Sequence, residues 1–388
     1  MSLQEKSSLL EDLFREYYSK ADLLLPDDIE YREFAYQPFR SHSYVRHLSF
    51  RTRDEVIDFF SRNPPLHLYY SSATYLHPSI EDMDAKGWRG SDLLFDIDAD
   101  HVEECVSNNW IKRYYVCPDC RVLSENSSED SCRCSEETVD IIDPECIRAT
   151  ARVTLDLVDV LIEELGVSKR YIEVNFSGNR GFHVRVFEDR FRELGREERR
   201  IIAEYVSARE YSVKRDIERG LILLPPRVGD GGIRGRISRR MIRYLDNETI
   251  KRYMISSRAE SLEIIKRLDK DLLREYEDRY DKYASIPIDT MVTIDISRLV
   301  RIPNSINGKS GLLTKRVELS ELEEFKLSAR RFSPFEDLRV FIEIKYKIPE
   351  IRFLDHRFQA KTQAVYEVPG SLGVFLELKG LGRIKKII

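Results

Sequence analysis

Asp96-Ile97-Asp98 sets two carboxylates one residue apart in the run Leu93-Leu94-Phe95-Asp96-Ile97-Asp98-Ala99-Asp100. The apolar lead-in predicts a strand, where successive side chains point to opposite faces. Asp96 and Asp98 then share a face, while Leu93, Phe95 and Ile97 turn to the other, toward a core. Two ionised carboxylates about 6–7 Å apart along a strand repel unless a cation lies between them. Hard divalent ions such as Mg²⁺ are held in this way, with substrate phosphates completing the shell. Asp100 is expected as an outer or surface acid. A D-x-D alone is common, and a solvated strand end also explains it, so the downstream segments decide.

Ser177-Gly178-Asn179-Arg180-Gly181-Phe182-His183 falls between two apolar runs. Its glycines permit a tight turn with exposed backbone N–H groups, a nest suited to an anion. Arg180 adds a bidentate phosphate donor, Ser177 a hydroxyl and His183 an imidazole. A third segment, Asp289 to Gly311, contributes another acid, the bases Arg298 and Arg301, and Asn307-Gly308-Lys309-Ser310. Gly308-Lys309-Ser310 is no Walker loop, because position 303, where that motif needs its first glycine, is proline. Together these segments supply acids for two divalent ions and cations for a triphosphate, the equipment of two-metal nucleotidyl transfer.

Six cysteines stand at 105, 117, 120, 132, 134 and 146. Cys117-Pro-Asp-Cys120, an eleven-residue polar loop and Cys132-Arg-Cys134 have the spacing of a structural Zn²⁺ site, with a redox pair or unbound thiols as the alternatives. An intracellular chain argues against disulfides. Cys105 and Cys146 are expected to pack as small apolar side chains.

The elements that must position these groups follow from periodicity. Leu9, Leu10, Leu13, Phe14 and Tyr17 predict a helix over residues 3–20, and Val56, Ile57, Phe59 and Phe60 another over 53–62. Strands are expected at 31–36, 67–73, 171–174 and 182–187, and a long amphipathic helix at 144–165. From 188 to 284 the pattern is charged and helical; strands are expected again at Met291–Ile296, 339–345 and 372–378. The reading is a mixed α/β core over 1–187 and 285–388, with the knuckle 117–134 inserted and 188–284 as a small helical subdomain. No run approaches the ~20 apolar residues of a membrane span. The acidic, amphipathic N-terminus is no signal peptide, so a cytoplasmic location is expected. Lys plus Arg number 63 against 68 acids, a formal charge of −5. That excludes a globally basic nucleic-acid binder but leaves local basic grooves available. Arg234, Arg236, Arg239, Arg240 and Arg243 form one candidate groove. The richness in Glu, Lys, Arg, Ile and Tyr suits a warm-growing source.

The D-x-D strand, the cysteine knuckle after it, the Ser177–His183 turn and the late D-x-x-V-T…R-L-x-R-x-P-x-S…G-K-x-G segment resemble, in order, the catalytic small subunit of archaeal and eukaryotic DNA primases. Tyr31-Arg-Glu-Phe-Ala-Tyr resembles that family's N-terminal signature, and the likeness covers about residues 30–312 and, more loosely, 368–379. The resemblance implies central β-sheets flanked by helices and template-directed synthesis of short primers on single-stranded DNA from nucleoside triphosphates. It implies Asp96, Asp98 and Asp289 as the Mg²⁺ or Mn²⁺ ligands, with Asp295 the rival for the third place. It implies Ser177, Arg180, His183, Arg301 and, least securely, Asn307 as nucleotide contacts, and Cys117, Cys120, Cys132 and Cys134 around Zn²⁺. A large-subunit partner in a heterodimer and a nucleoid-associated, archaeal setting are implied as well. A related end-joining repair polymerase and a non-catalytic zinc-stabilised nucleic-acid-binding scaffold are the competing readings.

Overall fold

Two four-stranded antiparallel sheets carry the segments that bear the chemistry. The computed structural model describes residues 7–125, 128–129, 132–133, 137–220, 224–269, 276 and 279–388. Along the chain, α1 (Ser8–Tyr18) starts where the Ser7 hydroxyl accepts from the Leu10 amide, and it buries Leu10, Leu13, Phe14 and Tyr18. A single 3₁₀ turn at Ile29–Tyr31 precedes β1 (Phe34–Pro38), so the expected strand starts three residues late. β2 (Val45–Leu48), α2 (Arg53–Arg62, capped by Thr52) and β3 (Pro65–Ser71) follow. The acid-bearing strand is β4 (Leu93–Asp98), with Leu93, Leu94, Phe95 and Ile97 buried and both acids half-buried.

Next come α3 (Glu103–Ser107) and α4 (Pro144–Glu163), the latter begun by Asp143 with Pro144 in its first turn. β5 (Ile172–Phe176) and β6 (Gly181–Val186) flank the glycine turn. Beyond them lie α5 (Arg196–Ser207), α6 (Gly232–Met241), α7 (Thr290–Ile294), β7 (Leu299–Arg301), β8 (Lys315–Val317) and α8 (Gly370–Leu378). The first sheet runs β7-β3-β1-β2 and the second β8-β5-β6-β4. Register in the second sets His183 opposite Asp96 and Gly181 opposite Asp98. A Cβ on Gly181 would stand 2.3 Å from the Ile97 carbonyl oxygen, so only glycine lets β6 close on β4 there.

Two expected strands are helices. Residues 290–294 form α7 because Asp289 caps the turn, its Oδ1 accepting from the Met291 amide at 3.0 Å. Residues 372–378 belong to α8, every residue of which is buried. A short apolar run enclosed on all sides carries no period to separate helix from strand.

Among the described residues of 188–284 all regular elements are helical, and Ile237, Met241, Ile250, Tyr253 and Met254 build a second apolar cluster there. The arginines of α6 do not form an open groove. Arg236 is buried and bonded to Glu164 and to the carbonyls of Val206 and Ala284. Arg239 pairs with Glu163, Arg240 with Asp156, and Arg243 with Asp156 and Asp159. Arg234 turns to Asp230. Four of the five, Arg243 from the turn just after the helix, therefore clasp α6 to α4, since α4 presents its acids on the facing side.

The cysteines also depart from expectation. Cys105 in α3 and Cys146 in the first turn of α4, both fully buried, are joined by a disulfide with Cα atoms 5.0 Å apart. The packing of α3 on α4 brings the two side chains together at the base of the inserted module. Within it Ile111–Cys117 pairs with Thr138–Ile142 and with Val122–Ser124, and Cys132–Arg133 pairs with Ser128–Glu129. Cys117 and Cys120 are disulfide-bonded too, whereas Cys134 and the side chain of Cys132 lie outside the described residues. Among the described residues no helix is long and apolar enough to cross a membrane.

Candidate active site

Asp96 and Asp98 face a cleft of about 260 Å³ between the two sheets, which Ser177, Arg180, His183, Arg301 and Asn307 also line. Asp289 joins the pair through the backbone: its amide donates to the Asp96 carbonyl at 2.9 Å. Burial, then the charges of Asp98 and Asp289, push the Asp96 carboxyl up to about 7. The structure thus brings the early pair and the late acid together. Asp295 is spent on its own turn, accepting from the Ser297 amide and hydroxyl at 2.8 Å each.

Arg180 faces the acids. One guanidinium nitrogen lies 3.1 Å from Asp98 Oδ2 and 3.1 Å from Asp100 Oδ2, so Asp100 shares a partner with the D-x-D pair. The His183 Nε2 is 3.7 Å from Asp96 Oδ1. Burial, with Arg301 and Arg298 beside it, pushes His183 down to about 4, so the ring is neutral at pH 7. The Ser177 hydroxyl accepts from the Gly181 and Asn179 amides at 3.2 and 3.4 Å, so the turn satisfies its own N–H groups.

The glycine turn and the late loop interlock. Asn307 is buried; its Nδ2 donates to the Ser177 carbonyl at 2.9 Å and its Oδ1 accepts from the Lys309 amide at 3.0 Å. The Ser310 hydroxyl donates to the Gly178 carbonyl. Gly308 serves packing, since a Cβ there would meet Leu66 Cγ at 2.3 Å. From α1, the Tyr18 hydroxyl accepts from the Ile306 amide and the Tyr17 hydroxyl donates to the Asn304 carbonyl, bracing the loop from outside.

Sequence reasoning passed over His67 and Tyr69. His67 Nδ1 receives the Gly308 amide at 3.2 Å and stands 2.9 Å from Arg301, which also lies 4.8 Å over the Tyr69 ring. Alternation along β3 puts His67 and Tyr69 on one face, which was the available signal. Arg298 lines the cleft as well, from the turn before β7.

No three His, Cys, Asp or Glu side chains among the described residues already enclose a metal site. The donor set nonetheless fits a hard divalent ion. Asp96 Oδ1 is buried without a hydrogen-bond partner, and the acids offer oxygen donors only. Arg180 is the group such an ion would displace from Asp98. The cysteines differ: sulfurs of Cys117 and Cys120 engaged in disulfides are not the thiolates that zinc requires.

A sequence profile described as DNA primase small subunit matches residues 135–319. The chain is 37% identical to the DNA primase small subunit PriS of Hyperthermus butylicus, over 96% of this chain and 95% of the relative. It is 36% identical to that of Sulfurisphaera tokodaii over 99% of each chain. The PriS of Sulfolobus acidocaldarius is 36% identical, over 99% of this chain and 98% of its own.

Proposed function

We propose a reading that proceeds from one premise: the chain belongs to the DNA primase small subunit family. It is accordingly a nucleotidyltransferase of DNA replication, the catalytic primase subunit, joining nucleoside triphosphates on a DNA template. The family is metal-dependent. In our reading Asp96, Asp98 and Asp289 hold Mg²⁺ or Mn²⁺. When bound, such ions lower the pKa of the attacking hydroxyl and neutralise the departing pyrophosphate. The observation that carries this reading is an orphaned Asp96 oxygen beside Asp98 at a cleft walled by arginines, with Asp289 bonded through its backbone amide to the Asp96 carbonyl.

In the reaction the 3′-hydroxyl oxygen of one nucleotide bonds to the α-phosphorus of the next. The bond from that phosphorus to the β-bridging oxygen breaks, pyrophosphate leaves, and the hydroxyl proton passes to solvent. Arg180 exchanges Asp98 for the triphosphate, and Asp100 keeps it oriented during the exchange. Arg301, fixed by His67, supplies the second guanidinium. His183, being neutral, contributes a hydrogen bond rather than a charge. Ser177 offers its hydroxyl once the turn opens toward phosphate. Asn307 acts through its hold on the Ser177 carbonyl. Arg301 is held in place before the substrate arrives, and such preorganised donors are where these sites gain rate, while Arg180 and Ser177 exchange their present partners for phosphate.

A large-subunit partner forming a heterodimer, a single-stranded template and a cytoplasmic, nucleoid-associated setting complete the proposal. Zinc on Cys117, Cys120, Cys132 and Cys134 requires thiolates in place of the disulfides of Cys117 and Cys120; metal analysis of protein purified with reductant tests it, one Zn²⁺ per chain supporting such a site and none dismissing it.

The deciding experiment is de novo synthesis on unprimed poly(dT) with ATP and Mn²⁺. Asp96→Ala, Asp98→Ala and Asp289→Ala are each expected to lose at least about a hundredfold in rate with native circular dichroism. Asp295→Asn is expected to stay active. Full activity in Asp289→Ala, or loss only in Asp295→Asn, would overturn the assignment.

A further inference from the structure

We propose that Lys379, supplied by the C-terminal segment, is a third cation of the nucleotide site and binds the terminal phosphate of the incoming triphosphate; this rests on the nucleotide reading above. Lys379 caps the C-terminus of α8, its amide donating to the Phe375 and Glu377 carbonyls. α8 presses on the late loop, for a Cβ on Gly311 would stand 2.6 Å from Val374 Cγ1. The Lys379 ammonium lies 5.6 Å over the Phe375 ring and opens on a cavity of about 30 Å³. Asn179 of the glycine turn and Ser310 of the late loop line that cavity. Asn179 also lines the main cleft, so the cavity and the cleft adjoin at that residue.

The charges around Lys379 make its position informative. Asp140 lines the same chamber and attracts the ammonium but is itself paired with Arg113 at 2.9 Å, while Lys309 and Arg180 repel it. Among the described residues no carboxylate lies within ion-pair distance of Lys379, and its ammonium is largely buried. Burying an ammonium whose nearby acid is shared with an arginine is unfavourable, and two like charges beside it add to the strain. Burial and those neighbours bring Lys379 down to about 8, which leaves it mostly charged at pH 7. A polyanion entering the cleft relieves all three cations together. The chamber has room for about one water, so a phosphate oxygen reaches the ammonium directly or across a single water.

A purely structural lysine predicts the opposite pattern. Phe353, Phe375 and Leu354 line the same chamber, so methionine at 379 fits it and removes a buried charge. The test is isothermal titration of the full chain with a non-hydrolysable nucleoside triphosphate, the diphosphate and the monophosphate, each with Mn²⁺. Wild type, Lys379→Met and Lys379→Gln are compared, with thermal melts of each. Lys379→Met is expected to weaken triphosphate binding about tenfold, to change monophosphate binding by less than about twofold, and to melt no lower than wild type. Lys379→Gln shows the same loss of triphosphate preference and stands in if the methionine variant folds poorly. Wild-type triphosphate affinity in both variants, or equal losses for mono- and triphosphate, overturns the role of Lys379. Absence of triphosphate binding in the wild type overturns the nucleotide reading itself, and this proposal with it.

Discussion

Asp96 is where folding and chemistry pull in opposite directions. Its carboxyl, at about 7, binds a proton more readily in the folded chain than in the unfolded one, where a carboxyl titrates near 4. Such a group contributes stability that is fully present below about pH 4 and is lost as pH rises through about 7. In EDTA the melting temperature is therefore expected to fall across that window, and Asp96→Asn to flatten the fall and melt higher at pH 7.5. Scanning calorimetry against pH checks both. Gly181→Ala is expected to cost about 1–3 kcal/mol, measured by urea unfolding, because the methyl meets the Ile97 carbonyl. At this scale much of the site was legible: alternation along one strand gave the shared face of Asp96 and Asp98. Pairings made across the fold were not. Nothing in the local spacing says that Arg180 rests between Asp98 and Asp100, or that His67 aims Arg301.

Among the elements, α3 and α4 show what one covalent link can hold. The Cys105–Cys146 bond encloses the whole cysteine-bearing hairpin, with a sequence separation of 41. Closing a loop of that length is worth about 4 kcal/mol on the chain-entropy account. The double variant Cys105→Ser/Cys146→Ser is expected to melt markedly lower, and wild type treated with reductant, which also opens the disulfides of Cys117 and Cys120, to melt at least as low; equal melting under all conditions would dismiss the staple. Intracellular disulfides are rare except in hyperthermophiles, which is why cysteine spacing without a source pointed elsewhere. Long amphipathic elements were readable because periodicity reports burial on one side: residues 53–62 form α2 as expected, and 144–163 form α4. Periodicity failed at α7 and α8, one too short and one buried all round. It also said nothing of what opposes a row of arginines. Arg236→Met takes the bidentate guanidinium from buried Glu164, leaving it the Tyr205 hydroxyl and the more distant Arg239, and a loss of about 3–5 kcal/mol is expected in chemical denaturation.

For the molecule as a whole, a charge of −5 means that template contact is local. Because α6 and the turn after it spend their arginines on α4, Arg243→Ala is expected to leave affinity for single-stranded DNA and its salt dependence within about twofold, since each lost phosphate contact would flatten the slope by about 0.7. A fluorescence-anisotropy titration over salt concentration decides it. The interlock of Ser177 and Gly178 with Asn307, Ser310 and Thr314 has a consequence for biosynthesis. Contacts separated by 130 residues or more cannot form until the ribosome has released both partners. A nascent chain extruded only past Asp98 bears the first two acids but lacks Asp289, the loop that shapes their pocket and the edge strand that backs it. Competence to start a new strand therefore arrives late in translation, and unfinished polypeptides stay inert.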